Sequence, residues 1–143
     1  ASFKFYTKNG KGELQAEEKS LKDLVGKPMI VHMWATWCPP CVQEMPIYNK
    51  YVGNSSGQIQ NLAIMSGQVV VDDIDAFYKQ KKLDNLSIIT DEKSVILSGY
   101  KLSSLPTTIF VNAKGKPLGF IAGPVSWDDK DVVKLVQRIL EGE

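Results

Sequence analysis

The chain's only two cysteines stand as Cys38-Pro39-Pro40-Cys41, at the junction of two different hydrophobic patterns. Ahead of them, Met29–Trp34 (MIVHMW) is a nearly continuous apolar run, the pattern of a strand covered on both faces. From Pro39 onward the spacing turns helical, with Val42, Met45, Tyr48 and Val52 able to share one side. Pro46 falls inside this helix and predicts a kink, because it removes a donor and crowds the preceding turn. A strand that feeds a helix through a cysteine pair places both sulfurs at the helix start. There the helix dipole and free N–H groups favour a thiolate at Cys38, and Cys41 lies one turn further in. Such a pair closes a disulfide with little rearrangement and passes an electron pair to or from a partner through a mixed disulfide. Cys38, ahead of the helix and less buried, is expected to attack; Cys41 is expected to resolve.

Other uses of the pair can be weighed from the same residues. Two cysteines are too few for a disulfide scaffold, and with one histidine they cannot complete a four-ligand zinc site. A Cu(I) ion held by the two thiolates remains an alternative, as does a purely structural disulfide, although so short a loop gains little chain-entropy stabilisation. The strand-before, helix-after context favours redox work. The spacer adds a direction. Neither Pro39 nor Pro40 has a backbone N–H, so Cys38 loses donors that would stabilise its thiolate, whereas Cys41 keeps its own. The expected consequence is only a moderately lowered pKa at Cys38, which tilts the pair away from strong oxidant behaviour.

The rest of the chain reads as a frame for this junction. Residues 2–7 (SFKFYT) alternate like a strand, and a polar stretch with Asn9-Gly10 and Gly12 follows. Strands are expected over 59–65, 86–90, 107–111 and 117–122, the last two joined by a turn at Asn112-Ala113-Lys114-Gly115. Helical spacing covers 71–83, with Ile74, Phe77 and Tyr78 apolar, and a turn or two over 94–102. Ser126 is the expected N-cap of a last helix, with Asp128 and Asp129 in its first turn and an apolar stripe of Val132, Leu135, Val136, Ile139 and Leu140. This order implies one α/β domain over 1–143, with a mixed sheet and helices on its faces. A length of 143 residues with 43% apolar content suits a single core. A net charge of +1 excludes the broad electrostatic footprint of a nucleic-acid binder. No stretch approaches the roughly 18–20 apolar residues that span a bilayer, and the first residues read as a strand rather than a signal peptide.

The segment Trp34-Ala35-Thr36-Trp37-Cys38-Pro39-Pro40-Cys41, with Glu44-Met45-Pro46 and the later Leu105-Pro106-Thr107-Thr108, resembles the thioredoxin superfamily. Within it, the chain is similar to the bacterial extracytoplasmic TlpA/ResA/DsbE group of thiol–disulfide reductases, from about Phe3 to the last helix. Ala122-Gly123-Pro124-Val125-Ser126-Trp127-Asp128 is similar to TlpA-type members. The resemblance implies a thioredoxin-like α/β fold: a central mixed β-sheet flanked by helices, with an N-terminal strand extension. It implies no cofactor beyond a redox-active Cys38–Cys41 disulfide, and no metal. It also implies a monomer in the periplasm or at the extracytoplasmic face of a bacterial membrane, where an anchor would lie in a segment outside this chain.

Roles follow position by position. Pro106 matches the family's cis-proline, which lies beside the disulfide and leaves the backbone of Leu105 free to pair with a substrate strand. Trp37 matches the residue that covers the active-site surface, and Pro46 the helix-kinking proline. Glu44 matches an acidic residue that tunes thiol titration in ResA-like members; from the residues alone, a solvated helix-face charge is the competing reading. His32 is the departure. It lies six residues before Cys38, where cytoplasmic thioredoxins carry a buried Asp and many members of this group carry Asn. An imidazole there can accept the proton of Cys41, or it can be a neutral core residue that fills the site.

The leading expectation is a reductase in which Cys38 attacks a client disulfide and Cys41 resolves the mixed disulfide. The resemblance suggests apocytochrome c haem-attachment cysteines, or those of copper-site assembly factors, as clients. It suggests a membrane electron carrier of the CcdA/DsbD kind as donor. Alternatives are a disulfide-forming oxidase or isomerase, and a Cu(I)-binding module. A peroxide-reducing relative is disfavoured, because no distant second cysteine exists to resolve a sulfenic acid.

Overall fold

The computed structural model describes residues 2–55 and 57–142. In chain order its elements are β1 (Ser2–Lys8), β2 (Leu14–Ser20), a 3₁₀ turn (Leu21–Leu24), β3 (Met29–Trp34), α1 (Pro39–Asn54), β4 (Gln60–Ser66), α2 (Val71–Lys81), β5 (Ile88–Asp91), α3 (Val95–Gly99), β6 (Thr107–Val111), β7 (Pro117–Ala122) and α4 (Lys130–Leu140). The strands form one seven-stranded sheet in the order β2-β1-β5-β4-β3-β6-β7. β3 runs parallel to β4 and antiparallel to β6, and β1 joins antiparallel to β5. This is the expected mixed sheet with helices on its faces, extended at the N-terminal end. Among the described residues, no helix is long and apolar enough to cross a membrane.

β3 is buried along its whole length, and its period-two alternation feeds two cores. Ile30 and Trp34 point into a layer with Met45 and Tyr48 of α1, Phe110 of β6, and Val136 and Leu140 of α4. Met29, Val31 and Met33 point into the opposite layer, with Phe3, Ile64 and Ile109, and with Ile96 and Leu97 of α3. His32 shares its parity with Ile30 and Trp34, so the sheet itself delivers the imidazole to the α1/α4 layer. The chain leaves β3 at Trp34 and enters α1 at Pro39 after four intervening residues, which puts both cysteines beyond the carboxyl end of this interior strand.

Several elements differ from their expected form. β2 was not legible, because LQAEEKS has no apolar alternation; it is an outer strand whose side chains are half-buried only at Leu14, Lys19 and Ser20. It forms instead because the turn after β1 directs it. Asn9 Oδ1 accepts from the N–H groups of Lys11 (2.8 Å) and Glu13 (3.0 Å), and Gly12 takes a left-handed φ of 78°. α2 stops at Lys81, with Lys82 in the left-handed region closing its end, so that Leu83 packs into the core. The last helix begins later than Ser126: Asp129 is its N-cap, its Oδ1 accepting from the Asp131 N–H at 2.8 Å. Ser126 instead opens a turn (Asp129 N–H to Ser126 carbonyl, 3.0 Å), because the intervening Trp127 is drawn into the core. Within the apolar stripe of α4, Leu135 stays 53% exposed, while Val136 and Leu140 are buried.

Candidate active site

Cys38 is the N-cap of α1, and Pro39 and Pro40 occupy its first two positions. An N-cap side chain normally takes the N–H of the second or third helical residue. With proline at the first and second, only the third remains, and Cys38 Sγ accepts from the Cys41 N–H at 3.3 Å. Cys38 and Cys41 form a disulfide with their Cα atoms 5.2 Å apart. Cys38 is 5% exposed and Cys41 fully buried, so a partner reaches Cys38 first.

The Leu105–Pro106 peptide bond is cis, and the Leu105 carbonyl oxygen lies 3.7 Å from Cys38 Sγ. Pro106 is buried, and its carbonyl accepts the Gly123 N–H at 2.8 Å, which pins the segment to the end of β7. Trp37, 72% exposed, joins Gly67, Leu97, Leu102 and Leu105 around a groove of ≈ 500 Å³ beside the disulfide. The structure thus gathers Trp37, Cys38, Cys41, Leu105 and Pro106 at one edge of the molecule. Pro39, Pro40 and Pro46 lie on the exposed side of α1.

Glu44 and His32 lie underneath, away from solvent. Glu44 is 3% exposed, which excludes the solvated helix-face reading. Cys41, Glu44, Met45 and Tyr48 are the buried residues of α1, an i, i+3, i+4, i+7 stripe that carries a carboxyl one turn beyond the resolving cysteine. Of the expected stripe, Met45 and Tyr48 are buried and Val42 and Val52 half-buried, and the inner side also takes in Cys41 and Glu44. Glu44 Oε2 accepts two N–H groups, from the Val125 backbone (2.9 Å) and the Trp127 indole (2.7 Å). Its Oε1 faces His32 Nε2 at 3.5 Å. The other ring nitrogen, Nδ1, lies 3.1 Å from Thr108 Oγ1, its cross-strand neighbour on β6. Tyr48 stacks on the imidazole with centroids 4.6 Å apart. Both nitrogens of His32 are therefore directed at oxygen partners rather than at sulfur. Thr108, Val125 and Trp127 were not singled out as site residues. Trp127 had a signal in the stretch from Ala122 to Asp128, but no spacing rule ties it to Glu44, 83 residues away.

Burial governs the acidity of both groups. It pushes the Glu44 carboxyl up from 4.5 to about 7, against the opposing effect of the Val125 and Trp127 N–H groups. Burial also holds His32 down, from 6.5 to about 3. The phenol of Tyr48 is raised well above its ordinary value and stays neutral.

Strand order, a cis-proline facing a helix-capping disulfide, and a buried carboxyl below it define a thioredoxin-like protein with a dithiol site. Comparison with known proteins gives the family. The AhpC/TSA family pattern matches residues 3–116. The chain is 30% identical over 118 residues to the thiol-disulfide oxidoreductase ResA of Geobacillus thermodenitrificans, covering 82% of this chain and 67% of that protein. It is 31% identical over 107 residues to ResA of Bacillus subtilis, covering 74% and 59%. The chain thus spans about two thirds or less of the length of these relatives. Among solved structures it is similar to StoA from Bacillus subtilis, with a TM-score of 0.68 and 24% identity over 96% of this chain and 95% of that one. The chain belongs to the AhpC/TSA family, among its thioredoxin-like thiol–disulfide oxidoreductases.

The two buried groups have opposite effects on the pH dependence of stability. Between pH 4.5 and 6.5 the unfolded chain carries an ionised Glu44 and a protonated His32, whereas the folded chain carries a protonated Glu44 and a neutral His32. The proton counts are equal, so the pair adds no slope there. In His32→Gln, Glu44 acts alone: the folded state binds more protons, and stability is lost as pH rises from 4.5 through about 7. In Glu44→Gln, His32 acts alone: stability rises as pH increases from about 3 to 6.5. Urea unfolding across this range tests the opposed slopes; parallel curves for the wild type and both variants would contradict them.

Proposed function

We propose that this chain is a disulfide reductase for extracytoplasmic client proteins, with Cys38–Cys41 as its electron donor. The observation that carries this reading is the single N–H on Cys38 Sγ, at 3.3 Å from Cys41. Strong dithiol oxidants owe their potential to a heavily stabilised thiolate in the reduced form. Here two prolines withhold donors, and the Leu105 carbonyl presents its negative end 3.7 Å from the same sulfur. Weak thiolate stabilisation favours the disulfide form of the enzyme, and hence electron donation.

The reaction follows from the geometry. Cys38 thiolate attacks one sulfur of a client disulfide, and the other client sulfur leaves as a thiolate. An extended client segment pairs with the backbone of Leu105, beside Trp37. Cys41 passes its proton to Glu44, one turn away on the same buried stripe, and attacks Cys38 Sγ. The client's second sulfur leaves, and two electrons have moved from the enzyme dithiol to the client. A membrane carrier of the CcdA/DsbD kind restores the dithiol. The cysteine chemistry suits clients such as apocytochrome c haem-attachment sites or copper-site assembly factors.

Equilibration with a thiol–disulfide buffer measures the direction. The expected potential is about −250 mV or lower, in the range of reducing dithiols, and a value near roughly −120 mV, that of a strong oxidase, overturns it. Clients are identified with Cys41→Ser, which stalls the mixed disulfide on Cys38. The expected adducts are extracytoplasmic proteins with paired cysteines; recovery of cytoplasmic proteins alone in the native host contradicts the assignment.

A further inference from the structure

Glu44 has two oxygens in different situations, and the difference decides where its proton can go. Oε2 already accepts the N–H groups of Val125 and Trp127, so the proton of the neutral acid belongs on Oε1. Oε1 faces His32 Nε2 at 3.5 Å, and among the described residues neither atom has a hydrogen-bond partner, so each is a buried polar atom with only the other to turn to. His32 is completely buried, and its opposite nitrogen meets a hydroxyl that can either donate or accept. We infer that His32 is a positioning residue which exchanges tautomers each time Glu44 gains or loses its proton.

In the protonated state, the Glu44 O–H donates to Nε2, the ring proton sits on Nδ1, and Nδ1–H donates to Thr108 Oγ1. In the ionised state, Nε2 carries the proton and donates to the Oε1 carboxylate, while the Thr108 hydroxyl turns to donate to Nδ1. In going from the ionised to the protonated state, the Nε2 proton passes to Oε1 and Nδ1 takes up one proton by way of the Thr108 hydroxyl. The pair thus goes from one proton to two, and the ring is neutral in both states. A buried carboxylate thereby keeps a donor on each oxygen, and the buried acid keeps an acceptor. An amide in place of the imidazole interchanges donor and acceptor only by turning its whole group over, whereas the ring does so in place.

Among the described residues, no other charged side chain acts on the pair. From α1 come the Cys38–Cys41 disulfide, in the same buried layer, and the phenol of Tyr48 stacked on the imidazole, with Tyr51 stacked beyond it. Thr108 faces it from β6, and the Trp127 indole from the segment before α4. Ala63 of β4 lies opposite His32, and α4 contributes Val136 and Leu140 to the same layer. The inference rests on the proposed reading of Glu44 as the acceptor for Cys41: at equilibrium in either charge state of Glu44, the ring adopts the tautomer that keeps it paired.

The chain has one histidine, so its ring nitrogens are assigned in a nitrogen NMR spectrum without mutagenesis. In the oxidised protein the expected result is an exchange of the protonated and unprotonated nitrogen positions, centred near pH 7 where Glu44 titrates, with no imidazolium in that range. Glu44→Gln is expected to hold the ring in one neutral tautomer across that same range around pH 7. A ring that keeps one tautomer in the wild type, that becomes an imidazolium near neutral pH, or that still exchanges in Glu44→Gln overturns the inference. The outcome is separable from the reductase reading. An oxidising potential with the exchange intact defeats only that reading, and a reducing potential with a static ring defeats only this one.

Discussion

Because β3 is covered on both faces, every residue along it is assigned to one of two dry layers by parity alone, and the strand's exit point is fixed between them. The site depends on that constraint. The same strand that ends at Trp34 and releases the chain toward Cys38 also sends His32 into the layer occupied by α1. The helix then returns over the sheet with Cys41 and Glu44 on its inner side. Dithiol, carboxyl and imidazole are thus ordered in depth by one strand–helix junction. No separate device is needed to place them.

The two levels of the site work on different sulfurs. At the surface, Cys38 is governed by what its spacer lacks: proline at the first two helical positions leaves a single N–H on its sulfur, and a carbonyl approaches from Leu105. Below it, one turn from Cys41, lies a buried acid whose proton affinity is raised by burial and restrained by the Trp127 indole and the Val125 amide. On the proposed reading, a modestly stabilised attacking thiol and a resolving thiol with an acceptor one turn away make a consistent pair for donating electrons. Trp127 links this arrangement to the C-terminal helix. Its burial delays α4 to Asp129, and its N–H fixes which oxygen of Glu44 is left for His32.

The junction was legible because local rules converge there. An unbroken apolar run, prolines at a helix start and an i, i+3, i+4 pattern each speak about adjacent residues, and a cysteine pair between them has few other uses. Pro106 needed more, since spacing alone indicates a turn, and only the resemblance indicated a cis bond. β2 escaped because an outer strand with exposed side chains carries no hydrophobic period. Glu44 escaped as a buried group because its pairing is with Val125 and Trp127, far along the chain. His32 was noticed for its position, but its partners are set by sheet register and by the rotation of α1. Neither has a signature in a single sequence. The cysteine pair was therefore readable, and the buried groups beneath it were assembled by tertiary packing.

The central claim is that Cys38 is a weakly stabilised thiolate, and the pKa of Cys38 in the reduced protein tests it most directly. Ultraviolet absorbance of the thiolate, followed against pH in Cys41→Ser so that one sulfur is observed, reads this value without reference to any client. The account predicts a midpoint at about 7 or above, in the range of reducing dithiols. A thiolate that persists down to about pH 4, as in strong dithiol oxidants, would contradict it.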